Sequence, residues 1–271
     1  MVVSDLDGTI LHEGRKISSA DLDTLREIRE KGIVRVIATG RSLYSARAVF
    51  TDDFPMDYLV FSSGAGIVDW GDKRLLMKKS LTPGEVKTAV ELLFTLKSDF
   101  MVHEPVPYNH FFTYHRTGRE NPDFERRRTV YSEFATELDP ARYQYREACQ
   151  VLAVEPNAQG GSMAARIGQL LSGLKVIRAT SPLDRQSVWI EIFPACVSKA
   201  FASNWIRCKH GIKKECVLGI GNDYNDLDLL NWAHTGFLVG DVPEELRRLF
   251  LTVGPNSGFS EAVSLWLGTK K

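Results

Sequence analysis

The chain has 271 residues, 44% of them hydrophobic and 25% charged, as in an ordinary globular protein of one large or two modest domains. Lys+Arg and Asp+Glu each total 34, so the net charge is zero and gives no reason to expect nucleic acid or an anionic membrane as partner. No apolar run approaches the ~20 residues that span a bilayer, no signal-peptide pattern opens the chain, and Cys149, Cys196, Cys208 and Cys216 lack CxxC spacing, so a cytoplasmic protein with reduced thiols is expected.

Met1-Val2-Val3 reads as a short strand that runs straight into Ser4-Asp5-Leu6-Asp7-Gly8-Thr9. Leu22, Leu25 and Ile28 recur at helical spacing over residues 19–31, with Ser18 or Ser19 as cap and Gly32 as stop. Residues 34–38 and 58–61 read as strands. Strand–helix–strand at this spacing implies parallel pairing with right-handed crossovers. Pro83 opens a helix to about residue 97, followed by strands at 100–103 and 110–114. A charged helix is expected from about 122 to 135, with Arg126, Arg127 and Arg128 on a solvated face. Strand 150–155, helix 162–171 and strands 175–179 and 188–193 follow.

The closing segment returns to the opening grammar. Lys199 precedes a helical pattern over 200–209, then come strand 216–220, helix 226–233 and strand 236–239. A helix opening at Pro243-Glu244-Glu245, a strand at 251–253 and a last helix at 260–267 complete the chain. The fold class expected is α/β: a discontinuous Rossmann-like parallel-sheet core of residues 1–81 and 195–271. The mixed middle, residues 82–194, reads as an inserted α+β domain with its own antiparallel sheet.

In an open parallel sheet, ligands bind beyond the carboxyl ends of the strands, where Asp5 and Asp7 fall. If the backbone stays extended there, residues two apart point the same way. Two carboxylates held close repel each other unless a cation shares them or one is protonated, and hard oxygen ligands suit Mg²⁺. The second strand ends in Ala38-Thr39-Gly40-Arg41-Ser42, which offers a hydroxyl, a flexible backbone and a guanidinium. Free backbone N–H groups at such a place hold anions. Strand 216–220 ends in Gly221-Asn222-Asp223-Tyr224-Asn225-Asp226, a concentration of oxygen ligands.

Taken together, these segments resemble the haloacid dehalogenase (HAD) superfamily of phosphotransferases, and within it the Cof-like sugar-phosphatase branch. SDLDGTI resembles the first motif of the family, ATGRS the second, Lys199 in VSKA the third and GNDYNDLDLL the fourth, with SSGAGI at 62–67 in agreement. The resemblance covers the whole chain. It implies that Asp5 is the nucleophile that carries an aspartyl-phosphate, and that Asp7 is the general acid and base. It further implies that Thr39, Gly40, Lys199 and Asn225 hold the phosphoryl oxygens. Mg²⁺ would be held by Asp5, the Asp7 main-chain carbonyl and the fourth motif. There this chain departs from G-D-x-x-N-D by placing Asn222 at the first aspartate, so Asn222 or its neighbour Asp223 is the expected ligand, with Asp226 in support.

The same resemblance makes residues 82–194 a cap that closes over the site and contacts the leaving group. Pro105-Val106-Pro107-Tyr108-Asn109-His110 is the expected specificity loop, with Tyr108, Asn109 and His110 offering hydrogen bonds, and Arg116, Arg119 and Arg178 are expected as surface charges. The function expected is Mg²⁺-dependent hydrolysis of a small phosphorylated metabolite, a sugar phosphate, by a monomer. A phosphomutase and a non-enzymatic phospho-aspartate switch are the alternatives. A dehalogenase is disfavoured, since attack on carbon needs neither Mg²⁺ nor Asp7.

Overall fold

The computed structural model describes residues 1–12, 16–242 and 244–268, with backbone alone at 157–159. In chain order the elements are β1 (Val2–Ser4), α1 (Ser19–Glu30), β2 (Arg35–Ala38), α2 (Leu43–Arg47), β3 (Tyr58–Phe61), β4 (Gly66–Asp69) and β5 (Leu75–Lys78). Next come α3 (Pro83–Leu96), β6 (Asp99–His103), β7 (Phe112–His115), α4 (Pro122–Val130), β8 (Ala135–Glu137), β9 (Gln150–Glu155), α5 (Asn157–Leu170), β10 (Leu174–Thr180) and β11 (Val188–Pro194). The chain ends with α6 (Lys199–Lys209), β12 (Leu218–Gly221), α7 (Leu227–Trp232), β13 (Thr235–Val239), α8 (Glu244–Arg247), β14 (Leu251–Val253) and α9 (Gly258–Gly268). Pro243, expected to open the helix that appears as α8, lies outside the described residues.

The chain divides into two compact units. The first comprises Met1–Arg41, Ala46–Met77 and Ser198–Lys271; the second comprises Ser42–Ser45 and Lys78–Val197. In the first, an eight-stranded sheet runs β14-β13-β12-β1-β2-β3-β4-β5. β1 lies between β12 and β2, parallel to both, and only the β3–β4 hairpin turn reverses direction among the registered pairs. The central strands are buried on both faces, as parallel strands covered by helices must be. Val3, Val36 and Val60 pack with Ala202 and Ile206 of α6 and Leu229 of α7. β4 and β5 were not expected from the sequence: Gly66-Ile67-Val68-Asp69 is too short for periodicity to distinguish it from a loop, and β5 is half-exposed.

The second unit has a six-stranded sheet, β10-β11-β9-β6-β7-β8, antiparallel throughout except for β7 with β8. Val86, Ala89, Val90 and Leu93 of α3, with Ile167 of α5, fill one face. α4 covers the other face through Phe124, against Met101, Leu152 and Trp189. α3 begins in a full capping box, in which Thr82 and Glu85 satisfy each other's backbone N–H groups.

Three expectations for this unit need correction. The charged helix stops at Val130 rather than near Ala135, because 135–137 leaves to pair with β7 as β8. Arg127 does not lie on a solvated face: its guanidinium sits 4.4 Å over the Trp189 ring. Arg119 is not a free surface charge either. It bonds Asp99 Oδ2 at 3.0 Å and Glu155 Oε2 at 2.8 Å, and both carboxylates are fully buried. Removing a cation from buried partners leaves uncompensated charge, which costs more than the pair contributes. Arg119→Leu is therefore expected to lower unfolding free energy by about 2–4 kcal/mol in urea titrations. A loss below about 1 kcal/mol would mean the two carboxylates are stabilised without it.

Candidate active site

Three adjacent parallel strands, β12, β1 and β2, end side by side and deliver Asn222, Asp5 and Thr39 from their carboxyl ends. The Asp5 N–H donates to the Ile220 carbonyl, so β1 stays locked to β12 up to the carboxylate itself. Gly8 then turns the chain at φ 82°, and a Cβ there would lie 2.1 Å from Asn222 Nδ2. Only glycine lets the two loops approach so closely.

Lys199 opens α6 directly after Ser198, whose hydroxyl caps the helix by accepting the Phe201 N–H. Its ammonium donates to Asp5 Oδ1 at 2.5 Å and to Asp226 Oδ1 at 2.6 Å, with all three side chains buried. Burial alone would lower the lysine pKa, but Asp226 and Asp5 outweigh it and hold the ammonium protonated above the usual lysine range. Burial pushes the Asp5 carboxyl up to about 8; Asp226 adds to it, Lys199 opposes it, and Asp7 adds a further push. The turn 62–64 presses against this helix start. Gly64 has φ 105°, and a Cβ there would lie 2.2 Å from the Ser198 carbonyl oxygen.

Asp5 and Asp7 do not share a partner. Arg41 grips Asp7 with two parallel bonds, Nε to Oδ2 at 2.8 Å and Nη2 to Oδ1 at 2.7 Å. Thr39 is buried; its hydroxyl accepts the Arg41 N–H, and its carbonyl accepts that of Ser63. Gly40 and Asn225 are half-buried, Asn225 on a single 3₁₀ turn that precedes α7. Asp223 is half-buried and donates its backbone N–H to Asp226 Oδ2 at 3.2 Å, as Asn222 does at 2.8 Å. Both Asp226 oxygens are therefore engaged, one by Lys199 and one by the loop backbone.

From its place after Asp7 and Gly8, Thr9 is expected to supply a hydroxyl beside the turn. Its hydroxyl lies 3.2 Å from Asp5 Oδ2 and 3.3 Å from Asn222 Oδ1, so it ties the first and last segments together. A threonine four residues after an aspartate carries no periodic signal by which sequence reading finds such a role. The same two oxygens bear on metal binding. They converge on one hydroxyl, and three carboxylates (Asp5, Asp7, Asp226) face two cations (Lys199, Arg41). Oxygen donors with a deficit of positive charge fit a hard divalent cation. Among the described residues, no three of His, Cys, Asp and Glu gather as a metal cage.

In the second unit, the expected specificity loop is divided in its surroundings. Tyr108 is 65% exposed, Asn109 is buried with its carbonyl bonded to His103 Nδ1, and His110 stacks on Tyr44 at 4.6 Å and meets Phe134 edge-on at 4.9 Å. Arg116 is half-exposed beside Glu137, and Arg178 is half-buried near Gly161.

A family model for haloacid dehalogenase-like hydrolases matches residues 2–257. The phosphatase YwpJ of Bacillus subtilis is 24% identical over 269 residues, covering 92% of each chain. The 5-amino-6-(5-phospho-D-ribitylamino)uracil phosphatase YcsE of the same species is 20% identical, covering 98% of this chain and 95% of its own. Among solved structures, the HAD-superfamily phosphatase BT1666 of Bacteroides thetaiotaomicron superposes with a TM-score of 0.77 at 22% identity, covering 98% of this chain and 94% of that one. The HAD subclass IIB sugar phosphatase BT4131 gives 0.76 at 18% identity, covering 98% of both. These structural likenesses concern the fold. With the matching family model spanning nearly the whole sequence, the chain belongs to the haloacid dehalogenase-like hydrolases and is an enzyme of that family.

Proposed function

We propose that this chain is a divalent-metal-dependent phosphatase that cleaves small phosphomonoesters, sugar phosphates above all, through a covalent Asp5 intermediate. One observation carries the reading: a buried ammonium, Lys199, bridges a buried Asp5 just past the end of β1 to Asp226 on the turn after β12. A carboxylate held there against a fixed cation suits attack on a phosphoryl group, which is governed by positioning and charge neutralisation.

An Asp5 oxygen forms a bond to phosphorus as the bond to the ester oxygen breaks, and Asp7 gives its proton to the departing alkoxide. Water then attacks the same phosphorus, Asp7 takes its proton, and the Asp5–phosphorus bond breaks to release inorganic phosphate. Thr39, the Gly40 backbone, Lys199 and Asn225 hold the phosphoryl oxygens. Both Asp7 oxygens lie on Arg41 in this geometry, so each proton transfer requires Arg41 to yield one of them. Asp5, the Asp7 main-chain carbonyl and Asn222 would hold Mg²⁺, which neutralises charge on the phosphoryl group when bound. Asp226 orients that loop through the backbone of Asn222 and Asp223. The second unit supplies specificity for the alcohol part, and a cytoplasmic setting accords with cysteines that lack CxxC spacing.

Phosphate release from a panel of phosphorylated metabolites, with Mg²⁺ and with a chelator, tests the reading. Asp5→Asn is expected to lower release by about 10³-fold or more, because an amide is a poor nucleophile. Turnover near that of the wild type in the folded variant would remove Asp5 from the reaction. Asn222→Asp adds one negative charge beside the metal. It should lower the Mg²⁺ concentration for half-maximal rate on the order of tenfold. An unchanged Mg²⁺ dependence would transfer the ligand role to Asp223.

A further inference from the structure

Within the first unit, the backbone of Arg41 is anchored on both sides before its side chain begins. Its N–H donates to the Thr39 hydroxyl at 3.1 Å, and its carbonyl accepts the Ser62 N–H at 2.8 Å. The next N–H, that of Ser63, donates to the Thr39 carbonyl at 3.0 Å. Ser62 and Ser63 make these bonds from left-handed backbone, at φ 49° and 54°. That conformation is unfavourable for serine and persists where neighbours over-determine it, most often at functional sites. The strained turn after β3 thus fixes the end of β2, and with it the base from which the Arg41 side chain extends.

The guanidinium meets Asp7 as a planar fork, with Nε and Nη2 at near-equal distances of 2.8 and 2.7 Å from the two oxygens. Two parallel bonds fix the plane of a carboxylate, where a single bond leaves it free to turn. Among the described residues, Arg41 is the one hydrogen-bond partner of the Asp7 carboxylate, so the orientation of that group depends on the fork. Stability does not account for the pair. Its side chains are 31% and 37% exposed, and ion pairs open to solvent contribute little to folding. Asp5, two residues earlier, is held instead by Lys199 and Thr9, so the two carboxylates are oriented by separate partners.

We propose that Arg41 is the positioning residue of the proton-transfer step: its fork sets the orientation from which Asp7 gives and takes its proton, and when one of the two bonds yields, the other preserves the aim. The assignment rests on the phosphatase reading and adds to it a residue that acts through Asp7. Such a role has a chemical signature. An alkoxide departs as the alcohol once Asp7 has given it a proton, whereas 4-nitrophenolate is a stable anion that departs without one. A guanidinium that held the phosphoryl oxygens, or merely the fold, would serve both esters alike.

The test measures kcat/KM, which covers the steps up to departure of the alcohol, for the fastest alkyl ester of the metabolite panel and for 4-nitrophenyl phosphate. Wild type, Arg41→Met and Arg41→Lys are compared. In both variants the ratio of the alkyl to the aryl value is expected to fall about 10- to 100-fold. Lysine keeps the charge but is a point donor that cannot grip both oxygens, and Arg41→Lys decides the matter alone if Arg41→Met fails to fold. An unchanged ratio overturns the proposal, whether both rates fall together or neither does. A ratio restored to that of the wild type in Arg41→Lys also overturns it, since charge without the fork would then suffice. If the wild type releases phosphate from neither ester, the phosphatase reading fails and this assignment goes with it; if it hydrolyses both and the ratio holds, this assignment fails alone.

Discussion

The interaction on which the first unit depends is the Lys199 ammonium held between Asp5 and Asp226. A charge removed from water is tolerated only when its partners are fixed in good geometry. Three separate segments provide that geometry here: the end of β1, the start of α6 and the turn after β12. Each is pinned by close backbone contact. Gly64 leaves room for the Ser198 carbonyl, Gly8 leaves room for Asn222, and Gly221 leaves room for Asp226, whose Cβ would otherwise be 2.5 Å away. The site is thus held by packing at its base and by charge at its top.

The same triad leaves an electrostatic debt. One ammonium serves two buried carboxylates, and burial with Asp226 pushes Asp5 toward its protonated form. A further cation beside Asp5, where the proposed metal would sit, favours its ionised form. Arg41 does not fill that role, since it is committed to both oxygens of Asp7. The departure of the fourth motif then has a limited consequence. Asn222 keeps the oxygen donor and gives up one charge at a point where negative charge is already in excess.

Much of this was legible in the sequence. Asp5, Thr39, Lys199 and Asn222 each stand at an element boundary, because ligand sites of parallel sheets form where strands end. Leu22, Leu25 and Ile28 have the spacing of α1, and Thr82 with Glu85 has that of a capped α3. What the sequence hid was relational. Thr9 meets Asn222 across 213 positions, and Arg41 meets Asp7 across 34. No local pattern encodes either. Arg126, Arg127 and Arg128 look alike in the chain, yet Arg127 stacks on Trp189 while Arg126 remains exposed. A run of like charges reveals which residues are charged, not which of them the fold turns inward.

Two polar groups on one strand of the second unit are buried in different ways. Asp99 and His103 sit on the same face of β6, four residues apart and both buried. Asp99 receives bonds from the Thr117 backbone and hydroxyl, from Arg119 and from Asn121, whose amide also reaches the Val154 carbonyl. Burial would raise its pKa, but those donors outweigh it and hold the carboxylate below its usual range. Every demand of the buried charge is met from within the chain, which is what a structural network requires. His103 is met at one nitrogen and left open at the other, beside Gln150 and Arg127 in the same condition.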